Sequence, residues 1–385
     1  MSNAALKNHH YWMAKAIQLA SKGLYTTHPN PRVGCVLVRD DSLIAQGYHK
    51  VTGEGHAEVN AIANAKGDTQ GCTAYVTLEP CSHQGKTGPC AKALIKAKIK
   101  TLVYGMQDPN PEVAGRGLAM LEAAGIEVIG PVLEADSQAL NPGFIKRMTE
   151  GLPYVRLKLA MSIDGRTAME SGESQWITGP EARLDVQKMR AQSDAIITGI
   201  GSVMADDPSM TVRINNDNLP AKSKSVRQPK RIIMDTALSI PPDAKILFPT
   251  NEVQIFCLEE LAQADHYKAL TDKGIDVTYT QAAEEGGIDL VLALETLADQ
   301  GINEVLVETG AVLAGSFLQE GLVDEVVVYM APKLLGSNAR PLMQLPLASM
   351  SEAVDLEMVN LRQIGKDLKL TFKPCYDEDE GEEES

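Results

Sequence analysis

The chain has 385 residues, 44% of them hydrophobic and 4% aromatic, which is long enough for two α/β domains that each bury a core. Its formal net charge is −15, but seven of the negative charges lie in residues 376–385, so residues 1–375 carry only −8. This balance predicts a solvated acidic tail and argues against a protein whose main partner is a nucleic-acid backbone, although a few local cations would suffice for a small phosphorylated substrate.

Neither a membrane span nor an export signal is visible. No stretch approaches about 18 unbroken apolar residues, and residues 1–23 resemble an amphipathic helix rather than a signal segment. Six cysteines are too few for a disulfide framework in a chain of this size, so we interpret them as reduced thiols. The sequence therefore predicts a soluble cytoplasmic protein without membrane contact.

The first 130 residues alternate between helical and strand-like segments. A helix ends at Gly23, and residues 33–39 and 43–49 form a predicted hairpin around a short Asp-Asp-Ser turn. Further helices are predicted at 56–66, from Cys90 onwards and at 117–125, and further strands at 72–78, 101–106 and 126–130. This alternation predicts a layered sheet with helical crossovers.

A break with two prolines and two glycines falls near residues 141–153, and a second α/β series follows it. We therefore expect domains at 1–147 and 152–375, followed by a tail at 376–385. The polar segment 215–230 is predicted to be a surface loop, and the predicted helices are 180–192, 259–273, 289–300 and 311–321. The predicted strands are 154–160, 195–199, 231–235, 253–257, 304–308, 325–331 and 368–372.

Four residues of the first half carry the strongest chemical pattern. His56 and Glu58 lie at a predicted helix start, while Cys81 and Cys90 each follow a proline and bracket a glycine-containing loop. One imidazole and two thiolates fill three positions of a tetrahedral zinc site and leave the fourth for water, whose pKa falls to about 7. Glu58 is suited to move protons rather than to bind metal. The alternative is two ordinary buried cysteines beside a capped helix.

The second half is less informative by itself. Residues 304–308, then Thr309-Gly310, then a helix from Ala311 make a strand–turn–helix whose backbone N–H groups suit a phosphate. Gly199–Ser202 form a second tight turn after a strand. No GxGxxG motif is present, so these residues predict an α/β domain with a nucleotide site, but not a Rossmann domain.

The H-x-E and Pro-Cys pattern resembles that of the zinc nucleobase deaminases. Eight residues separate Cys81 from Cys90, where cytidine and transfer-RNA deaminases have two, so their substrate preference does not transfer. The segments THPNPRVGCVLV (27–38), LEPCSHQGKTGPC (78–90) and MQDPNPEVAGRG (106–117) instead resemble the deaminase half of the bifunctional riboflavin-biosynthesis deaminase/reductases. The resemblance continues through residues 157–178, 205–213, 307–325 and 331–337, and it spans residues 11–373.

This resemblance implies a cytidine-deaminase-like three-layer domain, followed by a dihydrofolate-reductase-like domain. The first would use one zinc ion to deaminate 2,5-diamino-6-(5-phosphoribosylamino)pyrimidin-4-one by hydrolysis. Asn30 matches a position that contacts the pyrimidine ring, and His49 and Lys86 match positions near the ribose phosphate. The second domain would use NADPH to reduce the ribosyl chain, giving 5-amino-6-(5-phosphoribitylamino)uracil.

The resemblance also implies two residue sets in the second domain. Positions that contact substrate are matched by Lys158, Ser174, Arg190, Met210, Arg213 and Glu308. Positions that contact NADPH are matched by Ala160, Trp176, Ser202, Asp206, Gly310, Ala311, Val312, Leu313, Ala314, Gly315 and Ser316. Arg190 and Arg213 suit the substrate phosphate, because a guanidinium offers two parallel donors. Lys158, Asp206 and bound water all remain candidates for the proton donor to the opened sugar.

We therefore predict a bifunctional enzyme that binds a small phosphorylated pyrimidine, forms a homo-oligomer and has no nucleic-acid partner. Two alternatives belong to other classes of protein. A nucleic-acid deaminase with a fused interaction domain is disfavoured by the acidic balance and the cysteine spacing, and salt-sensitive binding of transfer RNA would support it. A non-catalytic sensor of a phosphorylated pyrimidine or of NADPH has no need for Glu58 beside a metal-bound water.

Overall fold

The computed structural model describes residues 3–82, 88–111, 113–214, 227–261, 263–284 and 286–376. The described residues fall into two compact units. One holds those up to Leu152, and the other holds Pro153–Ile214 and those from Gln228 onwards. Among the described helices, none combines the length and the apolar character needed to cross a membrane.

The first unit is built on a five-stranded sheet with the order β2-β1-β3-β4-β5. The β1–β2 hairpin and the β1–β3 pair are antiparallel, and β3, β4 and β5 are parallel. The strands are β1 Gly34–Arg39, β2 Ser42–Tyr48, β3 Thr73–Leu78, β4 Thr101–Met106 and β5 Glu127–Ile129. The helices are α1 Asn3–Ala20, α2 Ala57–Asn64, α3 Cys90–Lys96, α4 Arg116–Ala123, α5 Glu134–Gln138 and α6 Pro142–Glu150.

Alternate side chains of this sheet enter two different cores. Val36 and Val38 pack with Met13 of α1 on one face, while Cys35 and Leu37 pack with the α2 and α3 side on the other. This alternation follows from the two-residue period of a strand, and burial on both faces explains the continuous apolar runs in the sequence. The first unit is therefore a sheet between two helical layers.

The second unit contains a nine-stranded sheet with the order β11-β10-β9-β8-β12-β6-β13-β16-β15, and a small β7–β14 pair. Strands from β11 through β13 are parallel to their neighbours, and β16 and β15 are antiparallel. The strands are β6 Tyr154–Ser162, β7 Arg166–Ala168, β8 Ala195–Gly199, β9 Lys230–Met234, β10 Val253–Leu258, β11 Asp276–Thr280, β12 Glu304–Val307, β13 Glu325–Ala331, β14 Arg340–Pro341, β15 Asp355–Ile364 and β16 Asp367–Cys375. The helices are α7 Pro180–Gln192, α8 Ile200–Asp206, α9 Ala264–Thr271, α10 Leu290–Asp299 and α11 Ala311–Gln319.

The order of the parallel strands determines where ligands can bind. After β6 the chain passes to β8 and runs outward to β11, and β12 then returns to lie between β8 and β6. The carboxyl ends of these strands share one edge, and open α/β sheets bind ligands beyond that edge where the strand order reverses. The residues that follow β8 and β12 therefore lie together at this edge.

The predicted elements differ from the structure in several places. The expected break at 141–153 contains helix α6, with Pro142 at its start and Gly151 after its end at φ 74°, because these two residues begin and end helices as readily as they interrupt them. The tight turn predicted at Gly199–Ser202 is the start of α8. The predicted helix 259–273 is a short 3₁₀ turn at Glu259–Leu261 and then α9.

Besides α6 and α8, five further elements were not predicted, namely α5, β7, β11, β14 and β15. They are short or lie at an edge of a sheet, where no continuous buried face imposes an apolar period. Of the predicted loop 215–230, residues 215–226 lie outside the described residues, and Lys230 begins β9. Tyr376, the first residue of the predicted tail, donates a hydrogen bond to the Val323 carbonyl (3.1 Å). It is therefore attached to the folded body.

Candidate active sites

The four residues of the first site come from three neighbouring elements. His56 directly precedes α2, Glu58 lies in its first turn, Cys81 follows β3, and Cys90 is the first residue of α3. Gly47 of β2 allows α2 to approach closely, since a Cβ there would lie 2.4 Å from the Ala61 nitrogen. The fold thus holds two helix starts beside the end of one central strand.

The donor atoms of His56, Cys81 and Cys90 lie within 4.8 Å of one another. The His56 Nδ1 atom is 3.2 Å from Cys90 Sγ and 3.7 Å from Cys81 Sγ. Two ligands of one tetrahedral zinc ion stand about 3.6 Å apart, given metal–ligand bonds of about 2.0–2.3 Å. One imidazole and two thiols at this spacing therefore fit a zinc ion with a fourth position open.

Burial and hydrogen bonding set the charge of this cluster. A hydrogen bond from the Cys90 thiol, together with one from the Cys90 backbone N–H (3.4 Å), holds the pKa of Cys81 well below its ordinary value. The same hydrogen bond and burial raise the pKa of Cys90. Burial also raises the pKa of Glu58, which is 3% exposed, to about 7. Its carboxyl group can therefore hold or release a proton near neutral pH.

Asn30 and His49 lie next to this cluster. The Asn30 side-chain nitrogen is 3.2 Å from His49 Nε2, the Gly55 carbonyl is 3.2 Å from His49 Nδ1, and the rings of His49 and His56 meet edge to face. Burial lowers the pKa of His49, so this imidazole offers a hydrogen bond rather than a positive charge. The predicted substrate residue Lys86 lies outside the described residues.

The second unit contains a cavity of about 520 Å³ at the carboxyl edge of its parallel strands. Seven of the predicted substrate and cofactor residues line it, and they come from β6, α7, α8 and the segments that follow β7 and α8. These residues are Lys158, Ala160, Ser174, Trp176, Arg190, Asp206 and Arg213. The fold therefore brings together positions that are widely separated in the sequence.

A buried ion cluster lies behind this cavity. Arg190 donates from Nε and Nη2 to the two carboxylate oxygens of Glu308, at 2.5 and 3.0 Å, and Lys158 Nζ is 3.8 Å from the same carboxylate. Although burial opposes it, the two cations hold the pKa of Glu308 below its ordinary value. Burial lowers the pKa of Lys158. The guanidinium of Arg190 is thus bound to Glu308 while it also lines the cavity, and its contact with a substrate phosphate stays a prediction.

The starts of α8 and α11 lie side by side. The Gly199 N–H donates to Thr309 Oγ1 (3.3 Å), and a Cβ at Gly310 would lie 3.6 Å from Ser202 Oγ. Gly310 and Val312 are exposed, whereas Ala314 is buried and Gly315 backs onto the Gln344 carbonyl. Ala311, Leu313 and Ser316 are half-buried. Within the predicted cofactor segment 310–316, the first residues are therefore the most accessible to a ligand.

Met210 lies close to the core of the second unit. Its side chain is 8% exposed and packs with Val186 and Ile233, and its backbone has a positive φ of 48°. The predicted contact of Met210 with substrate stays a prediction.

Two family models match the chain. The model described as RibD C-terminal domain matches residues 153–370, and the one described as cytidine and deoxycytidylate deaminase zinc-binding region matches residues 6–106. Riboflavin biosynthesis protein RibD of Escherichia coli (strain K12) is 46% identical over 365 residues, which cover 94% of this chain and 98% of that protein. The chain belongs to the RibD family.

Solved structures extend the similarity to the whole fold. Acinetobacter baumannii RibD, form 1, is 46% identical with a TM-score of 0.89, and covers 96% of this chain and 100% of its own. A diaminohydroxyphosphoribosylaminopyrimidine deaminase/5-amino-6-(5-phosphoribosylamino)uracil reductase of Thermotoga maritima is 33% identical with a TM-score of 0.83 and the same coverage. These findings confirm the predicted α/β fold class, with a cytidine-deaminase-like N-terminal domain and a RibD reductase domain.

Membership of the RibD family also confirms the predicted class of activity. The chain is a bifunctional enzyme of riboflavin biosynthesis that combines a deaminase domain with a reductase domain. A nucleic-acid deaminase and a non-catalytic sensor, the two alternatives, do not account for both domains.

Sequence reasoning missed Glu79, a buried carboxylate next to the metal-binding turn. It accepts hydrogen bonds from the backbone N–H groups of Gly115 and Gly117 (2.9 Å each), and longer ones from Asp108 and Leu118. A Cβ at Gly117 would lie only 1.9 Å from the Pro80 carbonyl. Glu79 thus fixes the segment 108–118 against the turn that carries Cys81. The partners of Glu79 are backbone N–H groups, so no residue-type signal in the sequence could have found it.

Proposed function

We propose that His56, Cys81 and Cys90 hold one zinc ion, and that Glu58 moves the protons of a hydrolytic deamination. The observation that carries this proposal is the spacing of three donor atoms beside a buried carboxyl group. When bound, zinc lowers the pKa of a water ligand to about 7. The cysteine ligands need to stay reduced, which supports a cytoplasmic location.

Glu58 would act at two stages of this reaction. With a pKa of about 7, its carboxylate can take one proton from the attacking water and give it to the ring nitrogen, and then take the remaining proton of the added oxygen and give it to the departing amine, which leaves as ammonia. Asn30 would hold the pyrimidine ring. Its amide contacts His49, and the ring of His49 meets that of the metal-binding residue His56, so Asn30 lies next to the metal site. His49 would support Asn30 and accept or donate one hydrogen bond at the substrate.

The substrate that we propose is 2,5-diamino-6-(5-phosphoribosylamino)pyrimidin-4-one. The solved relative from Thermotoga maritima carries this deaminase activity in its name, together with the reductase activity that acts on the deaminated compound. The product of the second step would be 5-amino-6-(5-phosphoribitylamino)uracil. The small volume of the cavity and the acidic charge of the chain also fit a small phosphorylated pyrimidine and no nucleic-acid partner.

NADPH is the reductant that we propose for the second unit. Gly310 is exposed where the starts of α8 and α11 lie side by side, and backbone N–H groups at helix starts suit phosphate. When bound, NADPH supplies the hydride. Ala160, Trp176 and Asp206 would hold the cofactor at the cavity, and Lys158, held by Glu308, would orient the sugar.

We also propose that the enzyme forms a homo-oligomer through β15. This strand lies at an edge of the nine-stranded sheet and exposes Met358, Val359 and Leu361, each by more than half of its surface. Exposed apolar side chains on an edge strand are typical of an interface. The molar mass in solution should therefore be a multiple of the chain mass, and Val359→Lys should reduce it to that of one chain.

The experiment that tests the function measures two rates on the purified chain. Ammonia release is followed from the diaminopyrimidine phosphoriboside without cofactor, and NADPH oxidation is then followed on the deaminated compound. We expect both. Ammonia release without NADPH oxidation would contradict the second assignment alone, and ligand binding without turnover would instead support a sensor.

A further inference from the structure

The cavity of the second unit is positively charged, although the chain as a whole is strongly acidic. Of the described residues that line it, four are cationic and one is a carboxylate, Asp206. Glu308, which is bound to two of these cations, adds a second carboxylate. The cations therefore exceed the carboxylates by two, which matches the charge of a phosphate monoester near neutral pH. The four cationic residues are Lys158, Arg183, Arg190 and Arg213.

Two of the four cations are already engaged. Arg190 binds both oxygens of Glu308 and also donates to the Thr211 carbonyl (3.3 Å). Lys158 is 3.8 Å from the same carboxylate and only one fifth exposed. Glu308 offsets one of these two positive charges and holds both groups close to itself, so an incoming anion would depend mainly on the remaining two arginines.

Arg183 is held in place without a carboxylate. Its guanidinium carbon lies 4.2 Å from the centre of the Trp176 ring, and Nη1 donates to the Thr178 carbonyl at 2.8 Å. Arg183 takes part in none of the ion pairs found within 4.0 Å among the described residues. An arginine has five N–H donors in a rigid fork, so a stacked guanidinium with one such bond keeps donors for a ligand and loses little freedom on binding it.

Arg213 is the second cation without a described carboxylate partner. Its Nη1 donates to Ser209 Oγ at 3.2 Å, and its backbone N–H donates to the Gln187 side chain. It is exposed at the cavity rim. Arg183 and Arg213 thus offer two guanidinium groups to one cavity.

We propose that Arg183 is a phosphate-binding residue of the reductase site and that, with Arg213, it selects phosphorylated ligands. The inference rests on the proposed reductase function. Its ligand chemistry is a phosphate monoester, which either the 5-phosphate of the substrate or the 2′-phosphate of the dinucleotide can supply. A guanidinium binds such a group through two parallel charge-assisted hydrogen bonds.

Calorimetric titration of the full-length, zinc-loaded chain tests this assignment. Ribose 5-phosphate represents the substrate phosphate, and the pair NADPH and NADH isolates the 2′-phosphate. Arg183→Gln should raise the Kd for one phosphorylated probe about 10- to 100-fold, and Arg183→Lys should raise it less, because it keeps the charge but not the fork. Arg39→Gln, which removes an exposed arginine of the first unit, is the matched control and should change neither.

Each outcome decides the matter. If Arg183→Gln raises the Kd for ribose 5-phosphate alone, Arg183 binds the substrate phosphate. If it raises the Kd for NADPH but not that for NADH, Arg183 binds the 2′-phosphate. Equal weakening of NADPH and NADH would mean that Arg183 only supports Trp176, and unchanged affinities would also overturn the inference. If the unaltered chain bound neither ribose 5-phosphate nor NADPH, the proposed reductase function itself would fail.

Discussion

The two candidate active sites differ in how far apart in the sequence their residues lie. His56 and Cys90, the outermost members of the metal cluster, are 34 positions apart and lie on the ends of adjacent elements. The Arg190–Glu308 pair of the second site spans 118 positions and needs several parallel strands to be in register. The first site is thus encoded by local spacing, and the second by the assembled sheet.

The two sites also differ in how their charged groups are arranged. The first site is a compact set of metal donors around one buried carboxyl group, and its chemistry follows from the residue types. The second is a cavity in which some cations are bound to Glu308 and others have no described carboxylate partner, so a residue type alone does not say whether it binds a ligand. Arg190 and Arg183 show this, because the first binds Glu308 and the second stacks on Trp176.

The largest expected effect separates the two sites. Glu58→Gln removes the group that carries protons, so kcat for ammonia release should fall about 10²- to 10⁴-fold. NADPH oxidation on supplied deaminated compound should be unchanged, since Glu58 belongs to the first unit. Both rates and the zinc content are measured on the same preparation. Parallel loss of both activities in a folded, zinc-loaded variant would contradict independent sites.

The second variant reverses this pattern. Glu308→Gln leaves Arg190 and Lys158 buried without a balancing carboxylate, which should lower the free energy of unfolding by about 3–5 kcal/mol. NADPH oxidation should be lost, whereas ammonia release should persist below the unfolding temperature.

Thermal unfolding and both assays test this prediction. The control is Glu295→Gln, which alters an exposed glutamate of α10 and should change neither stability nor rate. Equal stability of the Glu308 and Glu295 variants would show that the buried cluster does not stabilise the second unit.

A third variant tests whether the segment 108–118 supports the first site. Glu79→Ala leaves the half-buried N–H group of Gly115 and the buried N–H group of Gly117 without their acceptor. We expect a loss of about 2–4 kcal/mol in the free energy of unfolding and slower ammonia release with unchanged NADPH oxidation. Denaturant unfolding and the two assays measure this, and Glu79→Gln, which keeps one acceptor oxygen, should lose less. A larger loss in the glutamine variant would argue against a role as acceptor.

The smallest effect concerns acid stability of the second unit. Asp164 accepts hydrogen bonds from the Ser162 hydroxyl and from the Leu335 and Gly336 N–H groups, and these lower its pKa to about 2. A depressed carboxyl pKa stabilises the folded state above the ordinary value of about 3.9, and this contribution is lost as the pH falls towards 2. Asp164→Asn should therefore weaken the pH dependence of unfolding between about pH 4 and 2. If urea titrations showed the same fall in the free energy of unfolding between about pH 4 and 2 for Asp164→Asn as for the unaltered chain, this account would be contradicted.

Much of the fold could be predicted from the sequence, because buried parallel strands leave continuous apolar runs. The strands β3, β8, β10 and β13 are clear examples. The edge strand β15 was missed, since its side chains are exposed along almost its whole length and no buried face marks an apolar alternation, and α6 was hidden by the proline and glycine at its ends. The apolar period of a sequence reflects the buried face of an element, so it cannot predict an element that buries no continuous face.

The metal cluster was also predicted, because its donors lie on elements that the sequence already places side by side. The binding of Arg190 to Glu308 could not be predicted, since it depends on the position of α7 over β12. The same holds for Glu79, whose partners are backbone N–H groups and leave no residue-type signal. Tertiary hydrogen bonds therefore set the limit of what the sequence shows.

Metal removal tests the central claim most directly, namely that one chain carries two active sites of which only one needs zinc. The chain is treated with a chelator, and zinc content, ammonia release and NADPH oxidation are measured before treatment, after it and after zinc is restored. We expect about one zinc per chain, loss and recovery of ammonia release in step with the metal, and unchanged NADPH oxidation. Loss of NADPH oxidation with the metal, or ammonia release by the metal-free chain, would contradict the account.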